Sequence, residues 1–284
     1  MKKKNFLSML LMASLVLSLS ACGSTTKNAE VKTNQAEITT INETETETNI
    51  YSMKGEIMLA AAASLEKSFT QKLIPMFNEL YPNIKVTGTY DSSGKLQTQI
   101  EEGADVDIFF SAAMKQMNAL IDKNLMNNST VVQLLENKIV LIVPKGTEAD
   151  YTKFEDITKA NAIAIGDPES VPAGQYAKES LTNLGLWDQV EAKASLGTNV
   201  TEVLNWVAEG SANAGVVYAT DAAKMPDKVT VIDAAPSGSV KPVIYPVGMT
   251  ASSKNVDSAK AFLDFLQMDN AKKVFTDNGF AIAN

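Results

Sequence analysis

Short apolar stretches alternate with stretches of helical periodicity from Gly55 to the end of the chain. In the first half, this pattern predicts strands at 57–62, 84–90 and 106–110, with helices between them. In the second half, the predicted strands are 138–143, 162–165, 192–196, 215–218, 229–232 and 243–247, and the predicted helices are 171–184, 199–209 and 256–266. Alternation of this kind is typical of an α/β fold with mainly parallel sheets.

The first helix carries large apolar side chains at four-residue spacing. They are Leu65, Phe69, Leu73, Phe77 and Tyr81. This stripe predicts one helix face packed into the core, with a kink at Pro75 because proline lacks an amide hydrogen.

The strand and helix rhythm starts a second time after the strand at 138–143, and the strand at 243–247 returns the chain to the first unit. We therefore expect a two-lobed fold in which lobe I comprises 55–140 and 245–284, and lobe II comprises 141–244. Two crossings between α/β lobes make a hinged cleft. Its walls are strand ends and helix N-termini, which is where open α/β sheets bind ligands.

The first 54 residues are of a different kind. Three lysines, an apolar run at 6–19 and the sequence Leu19-Ser20-Ala21-Cys22 predict a signal peptide over 1–21. The last four residues resemble the lipobox of bacterial lipoproteins, which implies a lipid on Cys22, anchorage to the cell membrane and an extracytoplasmic location. The alternative is an ordinary signal peptide followed by an unmodified cysteine. Residues 22–54 are polar and aperiodic, which predicts a disordered tether.

The composition of the chain argues against several classes of function. The chain contains no histidine, and all of its 25 basic residues are lysine. It therefore lacks the commonest general base near neutral pH, and we expect no enzyme. It also lacks the guanidinium fork that recognises planar carboxylates. After loss of the three signal lysines, 22 lysines face 33 acidic residues, so nucleic acid is not an expected partner.

Two serines stand where a strand ends and a helix begins. Ser64 follows the first strand at an expected helix N-cap, and Ser93 follows the second strand. Hydroxyls, backbone N–H groups and helix N-termini can hold an anion without any formal cation. Such a site suits a compact, symmetric oxyanion.

Several motifs resemble those of the molybdate-binding proteins (ModA) of molybdate ABC importers, which are type II periplasmic solute-binding proteins. The motifs are Ala61-Ala62-Ala63-Ser64-Leu65, Ser92-Ser93-Gly94, Asp107-Ile108-Phe109-Phe110-Ser111-Ala112, the stretch from Gly166 to Ala177, Leu184-Gly185-Leu186-Trp187, Gly215-Val216-Val217-Tyr218 and Asn278-Gly279-Phe280. The resemblance covers nearly everything after residue 54. It implies a hinged cleft that captures molybdate, and also tungstate, for a membrane permease.

The resemblance also implies the ligand-binding residues. By position they are Ser64, Ser93, Ala173, Val200 and Tyr218, which donate through hydroxyls and backbone amides. They would bind molybdate as an oxyanion, without direct metal ligands and without a cofactor, in a monomeric protein. The alternatives are the same fold with sulfate, phosphate or an organic solute, or an adhesin or enzyme built on the same lobes.

One residue departs from the family pattern. Asp91 stands two positions before Ser93, where the family more often has a small or neutral residue. A carboxylate facing the cleft would repel a dianion. We expect the Asp91 side chain to point to solvent and to brace the turn.

Overall fold

The computed structural model describes residues 52–283. The predicted signal peptide, the lipidation at Cys22 and all but the last residues of the predicted tether lie outside this range. Within it, no helix is long and apolar enough to cross a membrane.

Lobe I is built on a six-stranded sheet with the order β11-β4-β10-β3-β1-β2. Its strands are β1 (Gly55–Ala62), β2 (Ile84–Asp91), β3 (Ile108–Phe110), β4 (Val132–Asn137), β10 (Val243–Met249) and β11 (Ala281–Ile282). Strand β1 pairs in parallel with β2 and β3, whereas β10 is antiparallel to β3 and β4.

Lobe II is built on a five-stranded sheet with the order β7-β6-β8-β5-β9. Its strands are β5 (Ile139–Pro144), β6 (Ile163–Gly166), β7 (Ala194–Gly197), β8 (Ala214–Tyr218) and β9 (Val229–Ala234). Strand β6 is parallel to β7 and β8, but β5 is antiparallel to β8 and β9.

The α/β class and the two lobes are confirmed, but the expectation of mainly parallel sheets was wrong. The reason lies in the strands that link the lobes. A helical crossover makes consecutive strands parallel, whereas β5 and β10 enter their sheets directly from the other lobe. The chain crosses at Lys138 and again through 235–242. The boundaries predicted after 140 and 244 fall inside β5 and β10.

Helices cover both sheets. In lobe I they are α1 (Glu66–Ser68), α2 (Ile74–Leu80), α3 (Ser93–Glu101), α4 (Met114–Asp122), α9 (Val256–Leu266) and α10 (Asp269–Asp277). In lobe II they are α5 (Pro172–Asn183), α6 (Trp187–Glu191), α7 (Val200–Ala208) and α8 (Ala219–Ala222). The sequence pattern missed α4, α6, α8, α10, β4 and β11.

Side-chain alternation along β3 shows how the first sheet is covered. Ile108 and Phe110 face the main core, whereas Phe109 joins a smaller cluster with α3 and α4. The helical stripe is confirmed, because Leu65, Phe69, Leu73 and Phe77 are fully buried. Burial of each such side chain stabilises the fold by about 1.5–3 kcal/mol.

The helix around Pro75 is irregular. A π-helical stretch, Phe69–Leu73, separates α1 from α2, and the Ile74 N–H donates to the Phe69 carbonyl oxygen. Pro75, the second residue of α2, has no amide hydrogen to donate to the preceding turn.

Candidate functional site

Ser64 lies directly after β1 and is buried at the cleft. The expectation that it caps a helix was wrong, because it sits inside a short 3-10 turn, Ala63–Leu65, without a side-chain capping bond. Its Oγ lies 3.0 Å from the hydroxyl of Tyr245 instead. The Ser64 side chain is therefore held by a hydrogen bond within lobe I and does not cap a helix.

Ser93 is the first residue of α3 and is fully buried. The capping role belongs to its neighbour Ser92, whose Oγ accepts from the Lys95 N–H. The Oγ of Ser93 accepts from the Ala112 N–H at 2.9 Å. Because this bond uses only an oxygen lone pair, the hydroxyl hydrogen of Ser93 remains available to donate.

The same logic applies to Ser64. The Asn137 side-chain amide donates to the Tyr245 hydroxyl oxygen at 3.2 Å and to the Thr220 hydroxyl at 2.9 Å. With its oxygen already accepting from Asn137, Tyr245 is free to donate its own hydrogen to Ser64 Oγ. Ser64 then also keeps a hydrogen that it can donate.

Tyr218 ends β8 and is buried beside Tyr245, with the two ring centroids 5.5 Å apart in an edge-to-face arrangement. Its hydroxyl donates to the Ala112 carbonyl oxygen across the cleft, at a long 3.4 Å. Burial raises the pKa of both Tyr218 and Tyr245 well above the usual value. Both phenols are therefore neutral and can donate at physiological pH.

The two predicted amide donors lie in first turns of lobe II helices. Ala173 is the second residue of α5, after Pro172, and Val200 is the first residue of α7. Amides in these positions have no acceptor within their own helix. Asn199 caps α7 by accepting from the Glu202 N–H at 3.0 Å, which leaves the Val200 N–H free of that cap.

Cross-lobe contacts bring the predicted residues together in two groups. The Gly94 N–H, next to Ser93, donates to the Ser170 carbonyl oxygen at 3.0 Å, shortly before Ala173. The turn that holds Ser64 packs against α7, which Val200 opens. The first contact brings together the segments of Ser93 and Ala173, and the second brings together those of Ser64 and Val200.

Asp91 does brace its turn, but it does not simply point to solvent. Its Oδ1 accepts from the Ser92 N–H at 2.7 Å and lies 3.4 Å from Lys95 Nζ. The same oxygen accepts from the Asn199 side chain of lobe II at 3.4 Å. Asp91 therefore links the lobes beside the N-terminus of α7.

Sequence reasoning missed several residues that complete the site. Tyr245 and Asn137 orient Ser64, the Ala112 peptide connects Ser93 with Tyr218, and Lys224 donates to the Ser64 carbonyl oxygen at 3.0 Å. A tyrosine inside a predicted strand looks like an ordinary core residue. No sequence signal separated these side chains from packing or surface residues.

A pocket of about 470 Å³ opens beside the Ser64 turn. Ala63, Tyr90, Asn199 and Trp206 contribute to its walls. Trp206 therefore reports on this end of the cleft, whereas Trp187 lies under Lys178. Across residues 52–283, no group of three or more His, Cys, Asp or Glu side chains is arranged to hold a metal ion.

Comparison with known proteins identifies the family of this chain. The model of a family described as "Bacterial extracellular solute-binding protein" matches residues 57–281. A Bacillus subtilis protein named "Putative ABC transporter substrate-binding lipoprotein YvgL" is 40% identical over 227 residues, covering 80% of this chain and 86% of that protein.

The names of two further similar proteins refer to molybdate or molybdenum. The "Molybdate-binding protein ModA" of Haemophilus influenzae is 38% identical over 236 residues, covering 81% of this chain and 92% of that protein. A solved structure, the "substrate binding domain of putative molybdenum ABC transporter from Clostridium difficile", is 38% identical with a TM-score of 0.63. It covers 81% of this chain and 99% of its own.

Proposed function

Since the chain belongs to the family of bacterial extracellular solute-binding proteins, we propose that it captures molybdate in its cleft and delivers it to an ABC importer. Tungstate, of the same shape and charge, is the expected second ligand. The observation that carries the proposal is the pair of buried serines. The Ser93 oxygen already accepts from the Ala112 N–H, so its hydrogen is available to the ligand. Ser64 shares a hydrogen bond with the Tyr245 hydroxyl, and its own hydrogen is available to the ligand when Tyr245 is the donor.

The predicted ligand set consists only of donors. Ser64 and Ser93 offer hydroxyls, and Tyr218 offers one when its hydrogen turns from the Ala112 carbonyl oxygen to the ligand. Ala173 and Val200 offer amides at helix N-termini, which favour negative charge. A fully ionised oxyanion accepts from every donor. A protonated phosphate would bring an O–H without an acceptor, and an unpaired buried donor is costly. The size of the closed cleft would then separate molybdate and tungstate from the smaller sulfate.

Capture would proceed by hinge closure. The lobes are joined only by the crossings at Lys138 and 235–242 within the described chain. The oxyanion would first meet the donors of one lobe, and the other lobe would then close over it. The closed form would be the one that the permease recognises.

We further propose that the protein is a monomer without enzymatic activity, anchored outside the cytoplasm by a lipid on Cys22. The name of the Bacillus subtilis relative supports the anchor, since that relative is called a lipoprotein. Mass spectrometry of the membrane-extracted protein tests this part. Acylation should be present on Cys22 and absent from a Cys22→Ala variant.

Calorimetric titration tests the ligand. The protein comprising residues 23–284, freed of bound anions, is titrated in parallel with molybdate, tungstate, sulfate and phosphate. We expect one-to-one binding of molybdate and tungstate and little heat from the other two. Ser64→Ala and Ser93→Ala should each weaken binding by about 10- to 100-fold, because each removes a hydrogen bond to a charged ligand.

Ser180→Ala is the matched control. Ser180 is fully buried like Ser93, but its hydroxyl pairs with Ser239 at 2.7 Å, away from the predicted ligand set. The variant should bind molybdate like the wild type. Binding of sulfate or phosphate in preference to molybdate would contradict the proposed ligand.

A further inference from the structure

Lys224 connects the lobes through a main-chain atom of a predicted ligand residue. Its Nζ donates to the Ser64 carbonyl oxygen at 3.0 Å and pairs with Asp221 Oδ1 at 2.7 Å. Ser64 belongs to lobe I, whereas Asp221 and Lys224 follow β8 of lobe II. The bond to Ser64 therefore joins the two lobes.

Asp221 fixes the direction of the lysine. Its carboxylate is fully buried, and its Oδ2 has no hydrogen-bond partner among the described residues. Burial raises the pKa of Asp221, and the nearby Lys224 ammonium acts in the opposite direction. A buried carboxylate with so few partners holds its counter-ion firmly. The Lys224 side chain is itself only 21% exposed.

We propose that Lys224 is a positioning residue that locks the closed cleft and slows release of the oxyanion. It donates to the carbonyl oxygen of Ser64, whose hydroxyl belongs to the predicted ligand set. It does not contact the ligand itself. The inference rests on the proposed function. Because the lock forms after closure, it acts on the rate of release far more than on the rate of capture.

If Lys224 had only a structural role, the variants would behave differently. If Lys224 served only to neutralise Asp221, then removing both charges together would restore the protein completely. The double variant Asp221→Asn/Lys224→Met separates the two roles. It leaves no unpaired buried charge, yet it cannot donate a charged hydrogen bond to Ser64.

The experiment measures molybdate release by stopped-flow fluorescence in a Trp187→Phe background, in which Trp206 is the remaining tryptophan. Thermal unfolding is recorded alongside. We expect Lys224→Met alone to lower the melting temperature and the double variant to regain most of that loss. In the double variant, molybdate should leave roughly tenfold faster, with capture changed less than twofold. Lys224→Arg, which keeps a donor cation, should recover part of the slow release.

A second pair with the same three-residue spacing is the control. Lys159 and Asp156 pair at 3.1 Å within lobe II, so Asp156→Asn/Lys159→Met should leave release unchanged. Wild-type release in a well-folded Asp221→Asn/Lys224→Met protein would overturn the lock alone. A wild-type protein that binds none of the four oxyanions would overturn the proposed function and the lock with it.

Discussion

Ser64 owes its orientation to two side chains that are distant in sequence. Tyr245 lies 181 positions later and Asn137 lies between them, yet the three form one buried chain of hydrogen bonds. The Asn137 NH2 group donates to the Tyr245 oxygen, which leaves the Tyr245 hydrogen available for Ser64 Oγ. A ligand serine with a fixed hydrogen is preorganised, which reduces the entropy lost on binding.

Removing the Tyr245 hydroxyl should therefore weaken binding without removing any predicted ligand contact. We expect Tyr245→Phe to reduce molybdate affinity by about 5- to 20-fold, equivalent to about 1–2 kcal/mol, because the Ser64 hydrogen is no longer directed. Titration calorimetry measures the loss. Tyr151→Phe, at a half-buried tyrosine of lobe II, should have no effect. Equal affinities for Tyr245→Phe and the wild type would show that the ligand orients Ser64 unaided.

The two buried phenols also make stability depend on alkaline pH. Burial raises the pKa of Tyr218 and Tyr245 above the usual 10.0, so the unfolded chain ionises them before the folded protein does. Their stabilising contribution is complete below about pH 10 and is lost as pH rises further. Each contributes a slope of at most about 1.4 kcal/mol per pH unit.

Thermal unfolding between pH 9 and 11.5 measures this slope. The wild type should lose stability steeply above pH 10, and Tyr218→Phe/Tyr245→Phe should lose it less steeply. Identical slopes would mean that other groups, not these phenols, control alkaline unfolding.

At the scale of elements, helix α5 approaches strand β6 more closely than side chains would allow. A Cβ on Gly174 would lie 1.8 Å from the Gly166 carbonyl oxygen, so position 174 must lack a side chain. This contact sets the height of the first turn of α5 above the sheet. The Ala173 amide is therefore positioned by the glycine that follows it.

Gly174→Ala tests this dependence. The added methyl must push α5 away from β6, at a cost of about 1–3 kcal/mol, and must move the Ala173 amide as well. We expect a lower melting temperature together with a loss of molybdate affinity of tenfold or more. Thr182→Ala, at an exposed site on the same helix, should change neither quantity. Normal affinity in a destabilised Gly174→Ala protein would indicate that the Ala173 amide is not a ligand.

The helical segment that contains α1 and α2 keeps its apolar side chains on one face because its geometry is irregular. A four-residue spacing exceeds the 3.6 residues of an α-helical turn, so the apolar stripe would drift around a regular helix. The π-helical stretch Phe69–Leu73 has a wider turn. It keeps Phe69 and Phe77 on one side, where Phe77 meets Phe262 edge-on at 4.8 Å.

At the scale of the whole molecule, the closed form joins the lobes by polar contacts that lie outside the predicted ligand set. Gln116 donates to Gln175 at 3.0 Å, and Asn199 donates to Asp91 at 3.4 Å. Asp91 also places a negative charge beside the α7 N-terminus, whose positive end should hold the dianion. The charge of Asp91 therefore disfavours molybdate binding, whereas its hydrogen bonds favour the closed form.

The Asp91→Asn variant separates the effect of the charge from that of the hydrogen bonds, because asparagine keeps an accepting oxygen and loses the charge. We expect molybdate affinity to rise by about two- to fivefold at low salt, with the gain shrinking as salt is added. Calorimetry at two ionic strengths measures both effects. Asp277→Asn, at an exposed carboxylate paired with Lys273, should change nothing. A weaker Asp91→Asn complex would show that the charged link to Asn199 and Lys95 matters more than repulsion.

The sequence by itself determined the α/β class, the two lobes, most strands and the helices α5, α7 and α9, because periodicity is a local property of the chain. The five ligand positions stay a prediction, which the resemblance to the molybdate-binding proteins implies. Only the tertiary structure decided the antiparallel β5 and β10, the role of Ser64 outside any cap, and the convergence of Tyr245, Asn137 and Lys224 on that serine. The hydrogen bonds around Ser64 join residues 108 to 181 positions apart. Such contacts leave no periodic trace in the sequence, since the fold alone brings the groups within bonding distance.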